Sequence, residues 1–98
     1  MSSLQGKNAI ITGGGRGLGK AVALLLAQEG VNIGITGRNE ENLKNTVDEL
    51  QKNGVKATYA VFNVANKTEV DNGIKELVST LGGVDIVVNN AGIGWFGK

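Results

Sequence analysis

A doubly wound α/β fold on a parallel sheet is the expectation for this chain, and three observations carry it. Short apolar runs alternate with stretches of about 12 to 15 residues of helical period, the signature of βαβ units. The first apolar run, Asn8-Ala9-Ile10-Ile11, leads directly into the glycine-rich turn Thr12-Gly13-Gly14-Gly15-Arg16-Gly17-Leu18-Gly19. A helical pattern opens near Leu18, so strand, turn and helix follow in the order that an anion-binding βα unit requires.

In chain order, the first strand is expected over about 7–12 and the first helix over about 18–29, with Val22, Leu25, Leu26 and Glu29 at helical spacing and Gly30 as its stop. The second strand covers about 31–36. The second helix, about 40–53, takes Asn39 as N-cap and places Glu40 and Glu41 at the positive end of its dipole. Leu43, Val47 and Leu50 form its buried stripe, and Gly54 ends it. The third strand, about 55–62, alternates: Val55, Ala57, Tyr59 and Val61 share one face and Lys56 and Thr58 the other, as in a half-solvated strand at a sheet edge. Asn66 with Glu69 three residues later resembles a capping box for the third helix, about 67–81. Val70, Ile74, Leu77 and Leu81 lie on one face of that helix, and Gly82-Gly83 close it. The fourth strand, about 84–88, is rich in Ile and Val, as are the first two, which suits strands buried on both faces.

Composition bounds the chemistry. The 98 residues make one domain with one core, and 41% apolar content is ordinary for a water-soluble chain. Ten Lys and Arg against nine Asp and Glu leave a net charge of +1, which offers no electrostatic case for nucleic acid or an anionic membrane. Cysteine and histidine are absent, which removes thiolate nucleophiles, imidazole bases and zinc sites built on either. No apolar run reaches membrane-spanning length and the first residues lack a signal-peptide pattern, so a cytoplasmic location is expected.

Right-handed crossovers put strands 2 and 3 successively to one side of strand 1, and double winding puts strand 4 on the other. The order 3-2-1-4 is that of a Rossmann-type sheet, with its switch point between strands 1 and 4. Ligand belongs above the carboxyl ends of the strands. The segments there are Gly13 to Gly19, Gly37 to Asn39, Asn63 to Asn66 and Asn89 to Gly92.

The glycine turn has a bland reading, a flexible loop that needs positive φ angles and binds nothing. Its position between strand and helix favours a phosphate cradle instead. A P-loop is the nearest competitor, because Gly14 to Lys20 fits G-x-x-x-x-G-K. The next residue is Ala21, so the hydroxyl that would ligate magnesium is missing.

With these elements placed, Thr12-Gly13-x-x-x-Gly17-x-Gly19 together with Asn89-Asn90-Ala91-Gly92 resembles the short-chain dehydrogenase/reductase family. The likeness runs the length of the chain, and within the family it is nearest to the 3-oxoacyl-acyl-carrier-protein reductases. It implies an NAD(P)-dependent enzyme that moves a hydride between nicotinamide and a carbonyl or alcohol. The cofactor-binding residues it implies are Gly13, Gly15, Arg16, Gly17, Leu18 and Gly19 in the loop, Arg38 and Asn39 after strand 2, Asn63 and Val64 after strand 3, and Asn90, Ala91 and Gly92 after strand 4. Asn63 departs from the aspartate common in the family; its amide oxygen keeps an acceptor for the adenine amino group. Asn89 and Asp85 read as structural, Asp85 because it sits at the strand end remote from the site.

NAD-users of this fold place an acid after strand 2 to bind the ribose 2′-hydroxyl, and here Gly37 occupies that place. Arg38 and Arg16 are positioned to receive a 2′-phosphate, so NADP(H) is the expected cofactor. One charge-assisted hydrogen bond, about 1.5 to 3 kcal/mol, favours it by about tenfold or more.

The family's chemistry uses a Tyr-x-x-x-Lys pair and a Ser, none of which this chain supplies. Its tyrosine, Tyr59, is followed four residues later by Asn63 and lies in strand 3. The sequence therefore reads as the truncated, cofactor-binding first part (residues 1–98) of a longer NADPH-dependent reductase acting on a small-molecule or acyl-thioester substrate, with no catalytic residue and no metal site of its own. Homo-oligomerisation is expected of the full-length form. Two other readings stay open, a non-catalytic dinucleotide-binding module and an isolated folding fragment. Strand 4 is expected to be an open edge of the truncated sheet.

Overall fold

The structure, a computed structural model, describes residues 3–13, 15, 17–62 and 66–90, and the backbone of 94–97. Strand β1 (Asn8–Thr12) is followed by α1 (Gly17–Gln28), β2 (Asn32–Gly37), α2 (Glu40–Gln51), β3 (Ala57–Val61), α3 (Lys67–Leu81), β4 (Ile86–Asn89) and β5 (Gly94–Gly97). The sheet order is β3-β2-β1-β4-β5. The first four strands are mutually parallel, with Thr12 beside both Thr36 and Asn89, so the carboxyl ends of β1, β2 and β4 finish level.

The predicted order 3-2-1-4 is present, but the expected open edge at β4 is not. β5 pairs with β4 antiparallel, Val88 opposite Trp95 and Asn89 opposite Gly94, so β4 is an interior strand. An antiparallel neighbour needs only a short connection, whereas a parallel one would need a crossover.

Helices α1 and α2 cover one face of the sheet, where Ala9, Ile11, Ile33 and Ile35 meet Ala23, Leu43 and Leu50. Helix α3 covers the other, packing Leu77 and Leu81 over Ile10, Ala60 and Phe62. The predicted stripes of α2 and α3 face the sheet. In α1, Val22 and Leu26 pack against the core as their spacing predicts, but Leu25 is 63% exposed and the buried positions are Gly19, Ala23 and Ala27. Small side chains take the most buried positions of this helix, and Val22, Leu24 and Leu26 flank them.

The third strand is an edge strand, as its alternation predicts, yet both its faces are covered. Ala57 and Tyr59 pack toward α2, while Ala60 and Phe62 lie under α3 and Val61 is exposed. Gly73 permits this approach, because a Cβ there would overlap the Phe62 ring.

Helix termini follow their caps. The side chains of Asn39 and Asn66 accept from the backbone N–H of Asn42 and Glu69 at 3.0 and 3.1 Å. α3 ends in the left-handed Gly82, φ 89°.

At the amino ends of the strands a line of polar contacts ties the sheet together. The Asp85 carboxylate accepts from the Asn8 N–H at 2.8 Å, the Asn32 amide donates to Asn8 Oδ1 at 3.0 Å, and the Asn32 Oδ1 accepts from the Lys56 N–H at 2.9 Å. Asp85 is thus structural, as expected, and it sits at the far end of the sheet from the glycine turn.

Candidate functional site

A cleft of about 550 Å³ opens above the carboxyl ends of β1 and β2. Its walls include Gly13 and Gly15 of the glycine turn, Gly37, Arg38 and Asn39 after β2, and Asn42 in the first turn of α2. Gly13, Gly15, Arg38 and Asn39 were all expected here from the sequence. Gly17, Leu18 and Gly19 form the first turn of α1: Gly17 has φ 64°, Leu18 is exposed and Gly19 is buried. Asn90 reaches the same region from β4. Arg16, Asn63, Val64, Ala91 and Gly92 lie outside the described residues.

Glycine is required where the turn meets its neighbours. A Cβ on Gly19 would overlap the carbonyl oxygen of Gly13 and stand 3.1 Å from the Asn90 side-chain nitrogen. The amino end of α1 can therefore tuck directly beneath the turn. A Cβ on Gly15 or Gly37 would lie 3.2 Å from Leu43 Cδ2, so both backbone segments rest on the same leucine. A backbone cradle this bare lets a bulky anion approach main-chain N–H groups closely.

Three threonines hold the turn, and the sequence reading had assigned none of them a role. The Thr12 hydroxyl accepts from the Asn90 N–H at 3.1 Å and donates to Asn89 Oδ1 at 3.1 Å, with the Val88 carbonyl as a longer alternative at 3.4 Å. The fully buried Thr36 hydroxyl accepts from the Gly13 N–H at 3.3 Å. The fully buried Thr46, on α2, donates to the Gly15 carbonyl at 3.1 Å. Thr12 and Thr36 share one detectable signal, a hydroxyl closing an apolar strand at its carboxyl end. Thr46 offers none, since a threonine within a helix reads as an ordinary polar position.

Charge at the cleft is positive. Arg38 is exposed and makes no ion pair among the described residues, and no carboxylate side chain lines the cleft there. Lys20, the lysine of the competing P-loop pattern, instead pairs with Glu49 of α2 at 2.6 Å. It braces α1 against α2. Tyr59 lies apart from the cleft on β3, where its hydroxyl donates to Glu40 Oε2 at 2.9 Å. That hydrogen bond, with burial and the carboxylate charge, holds the phenol above the usual tyrosine value. The group is poorly suited to deliver a proton near neutral pH.

Residues 7–98 match the sequence model of the short chain dehydrogenase family. The chain belongs to that family. A curated relative, an uncharacterized oxidoreductase of Staphylococcus aureus strain USA300, is 45% identical over 92 residues, covering 94% of this chain and 39% of the relative. The 3-oxoacyl-acyl-carrier-protein reductase of Staphylococcus epidermidis is 42% identical over 88 residues, covering 89% of this chain and 36% of that enzyme. Among solved structures, a dehydrogenase/reductase from Sinorhizobium meliloti 1021 superposes with a TM-score of 0.85 at 38% identity, over 90% of this chain and 35% of its own. An NAD+-bound xylitol dehydrogenase superposes at 0.84 with 30% identity, over 88% and 33%. The short-chain dehydrogenase fold is therefore present, in a chain that spans about two fifths of the length of the first relative.

Members of the short-chain dehydrogenase family bind a nicotinamide dinucleotide, and the residues present fit one. Gly13, Gly15 and Gly37 leave the cleft wall bare of side chains at three positions, the amino end of α1 lies beside it, and Arg38 supplies a cation with no ion pair among the described residues. Among the described residues no group of His, Cys, Asp and Glu could hold a metal ion, and no helix is long and apolar enough to cross a membrane.

Proposed function

We propose that this chain is the cofactor-binding half of an NADPH-dependent carbonyl reductase, and that the carbonyl belongs to a 3-oxoacyl thioester. The observation that carries the cofactor choice is Arg38: a guanidinium with no ion pair among the described residues stands at the end of β2 in a cleft whose described lining has no carboxylate. An adenosine 2′-phosphate brings two negative charges to such a site, whereas a 2′-hydroxyl would leave the guanidinium without a partner. Support for the substrate class is the 42% identity to a 3-oxoacyl-acyl-carrier-protein reductase.

In this reading the glycine turn holds the pyrophosphate against backbone N–H groups, Arg38 and Asn39 bind the adenosine end, and Asn90 beside the turn meets the nicotinamide side. Reduced nicotinamide, when bound, supplies the electron pair for carbonyl reduction. Proton delivery and substrate orientation fall to the Ser, Tyr and Lys that the family carries beyond the region matched here. Tyr59 does not replace them, because Glu40 engages its hydroxyl.

Two titrations test the reading, both followed by nicotinamide fluorescence on the full-length protein that carries this chain. NADPH is expected to bind at least tenfold more tightly than NADH. Equal affinities would remove the NADPH assignment. A polypeptide of residues 1–98 is expected to show no ketone reduction above background, and turnover by it would refute the placement of catalysis outside this segment.

A further inference from the structure

Two threonines that sit inside helices behave differently. Thr80 of α3 turns its hydroxyl back onto the carbonyl of Glu76, four residues earlier, at 2.9 Å, as helical threonines commonly do. Thr46 of α2 instead donates across the molecule to the Gly15 carbonyl, 31 positions away, while fully buried itself. Its direction decides where that carbonyl points. Gly15 lines the cleft that also contains Arg38, so its oxygen has two possible environments, the buried hydroxyl or the anion site.

We infer that Thr46 is a positioning residue for cofactor discrimination: by drawing the Gly15 carbonyl inward, it keeps a partial negative charge out of the cleft that receives the cofactor's phosphates. The inference rests on the cofactor reading above and extends it to a residue that touches no cofactor. Without the hydroxyl, the inward carbonyl loses its partner at a part-buried position, and an acceptor left unsatisfied there costs free energy. Rotation of the peptide that carries this oxygen relieves the cost, with the ψ change falling on Gly15, which tolerates conformations closed to other residues. The carbonyl would then face the cleft. Binding an anion requires the rotation to be reversed or the repulsion to be borne, and the penalty grows with the charge the ligand brings.

The expected consequence is specific to charge. Valine matches threonine in shape and lacks the hydroxyl, so Thr46→Val should weaken NADPH binding about tenfold and NADH binding by a smaller factor, lowering the NADPH-to-NADH preference. Thr46→Ser keeps the donor and should stay within about twofold of the unsubstituted protein for both cofactors. The measurement is a pair of fluorescence titrations with NADPH and with NADH on each full-length protein, alongside urea unfolding without cofactor.

An unchanged preference in Thr46→Val, or equal losses for both cofactors, would overturn the inference, since general loosening weakens both alike. If valine prevents folding, the serine variant decides: a tenfold loss there assigns the effect to the missing methyl group and overturns the role of the hydroxyl, and retained binding supports it. An unsubstituted protein that prefers NADH defeats the NADPH reading alone, because the valine variant must still lose more NADPH than NADH affinity. One that binds neither cofactor defeats both.

Discussion

The side-chain nitrogen of Asn90, just beyond β4, donates to the carbonyl of Gly13 at 3.4 Å, while the Asn90 N–H donates to Thr12 at 3.1 Å. These two contacts fasten the end of β4 to the glycine turn after β1. They close the topological switch point, where a doubly wound sheet places its ligand. Gly19 lies directly beneath the same junction, so the glycine turn, the first turn of α1 and the end of β4 share a few ångströms of space.

Gly19→Ala tests that packing. Helix propensity alone would favour alanine by about 0.8 to 1 kcal/mol. The added Cβ, however, overlaps the Gly13 carbonyl, which is backbone and has no rotamer through which to escape. Overpacking of this kind costs about 1 to 3 kcal/mol, so the expected net effect is destabilisation together with a loss of cofactor affinity of at least tenfold. Urea unfolding and an NADPH titration measure both. A variant that gained stability and still bound cofactor would show that the turn is not seated on α1 as described.

Arg38→Asp tests the charge of the cleft. In the proposed NADPH reading, the substitution removes one charge-assisted hydrogen bond to a 2′-phosphate and places a like charge beside it, at a combined cost of about 2 to 3 kcal/mol. NADPH affinity should fall about 30- to 150-fold. NADH affinity should hold or rise, because a carboxylate accepts from a ribose hydroxyl. Isothermal titration with each cofactor gives the ratio; equal losses for the two would dissociate Arg38 from the 2′ position.

The parts of this molecule legible in the sequence are those written by local physics. Asn39 and Asn66 cap their helices because a side-chain oxygen three residues ahead of a free N–H is a local event. Leu43, Val47 and Leu50 are buried because a helix of period 3.6 has one apolar face. The failures share a different cause. Leu25 shares its helical spacing with Val22 and Leu26, yet it is exposed while those two pack against the core and Gly19, Ala23 and Ala27 take the buried positions, so tertiary spacing overrode hydrophobicity there. Gly94–Gly97 has two glycines in four residues and no length over which alternation could show, so its pairing with β4 had no local signature. At the site, the bare backbone of Gly13, Gly15 and Gly37 was readable from composition. The hydroxyls that orient it were not, since Thr46 and Gly15 meet only through the fold.

Asp85→Ala separates stability from binding. The carboxylate accepts the Asn8 N–H at 2.8 Å at the amino end of the sheet, while the Asn8 side chain continues the line by donating to the Leu81 carbonyl at 3.2 Å and accepting from Asn32. Removing the carboxylate leaves a partly buried N–H without its charged partner. A loss of about 1 to 2 kcal/mol in urea unfolding is expected, with cofactor affinity unchanged within twofold. A large change in affinity without a change in stability would contradict the structural assignment of Asp85.

Tyr59 supplies a pH-dependent signature for the contact between β3 and α2. Its hydroxyl donates to Glu40 Oε2, and this bond, then burial, then the carboxylate charge raise the phenol above its ordinary value of about 10. A raised value means that the folded chain keeps a proton which the unfolded chain releases first. The contribution to stability is therefore fully present below about pH 10 and is lost as pH rises through the folded value. Absorbance titration near 295 nm should place the Tyr59 midpoint above that of an unfolded reference, and Glu40→Gln should lower it, because the amide removes the charge and accepts less strongly. Tyr59→Phe should make alkaline unfolding less steep, since the proton released there is gone. A Tyr59 midpoint equal to that of the unfolded chain would mean that the phenol and Glu40 are not joined in solution, and that the amino end of α2 is not held to the edge strand through this pair.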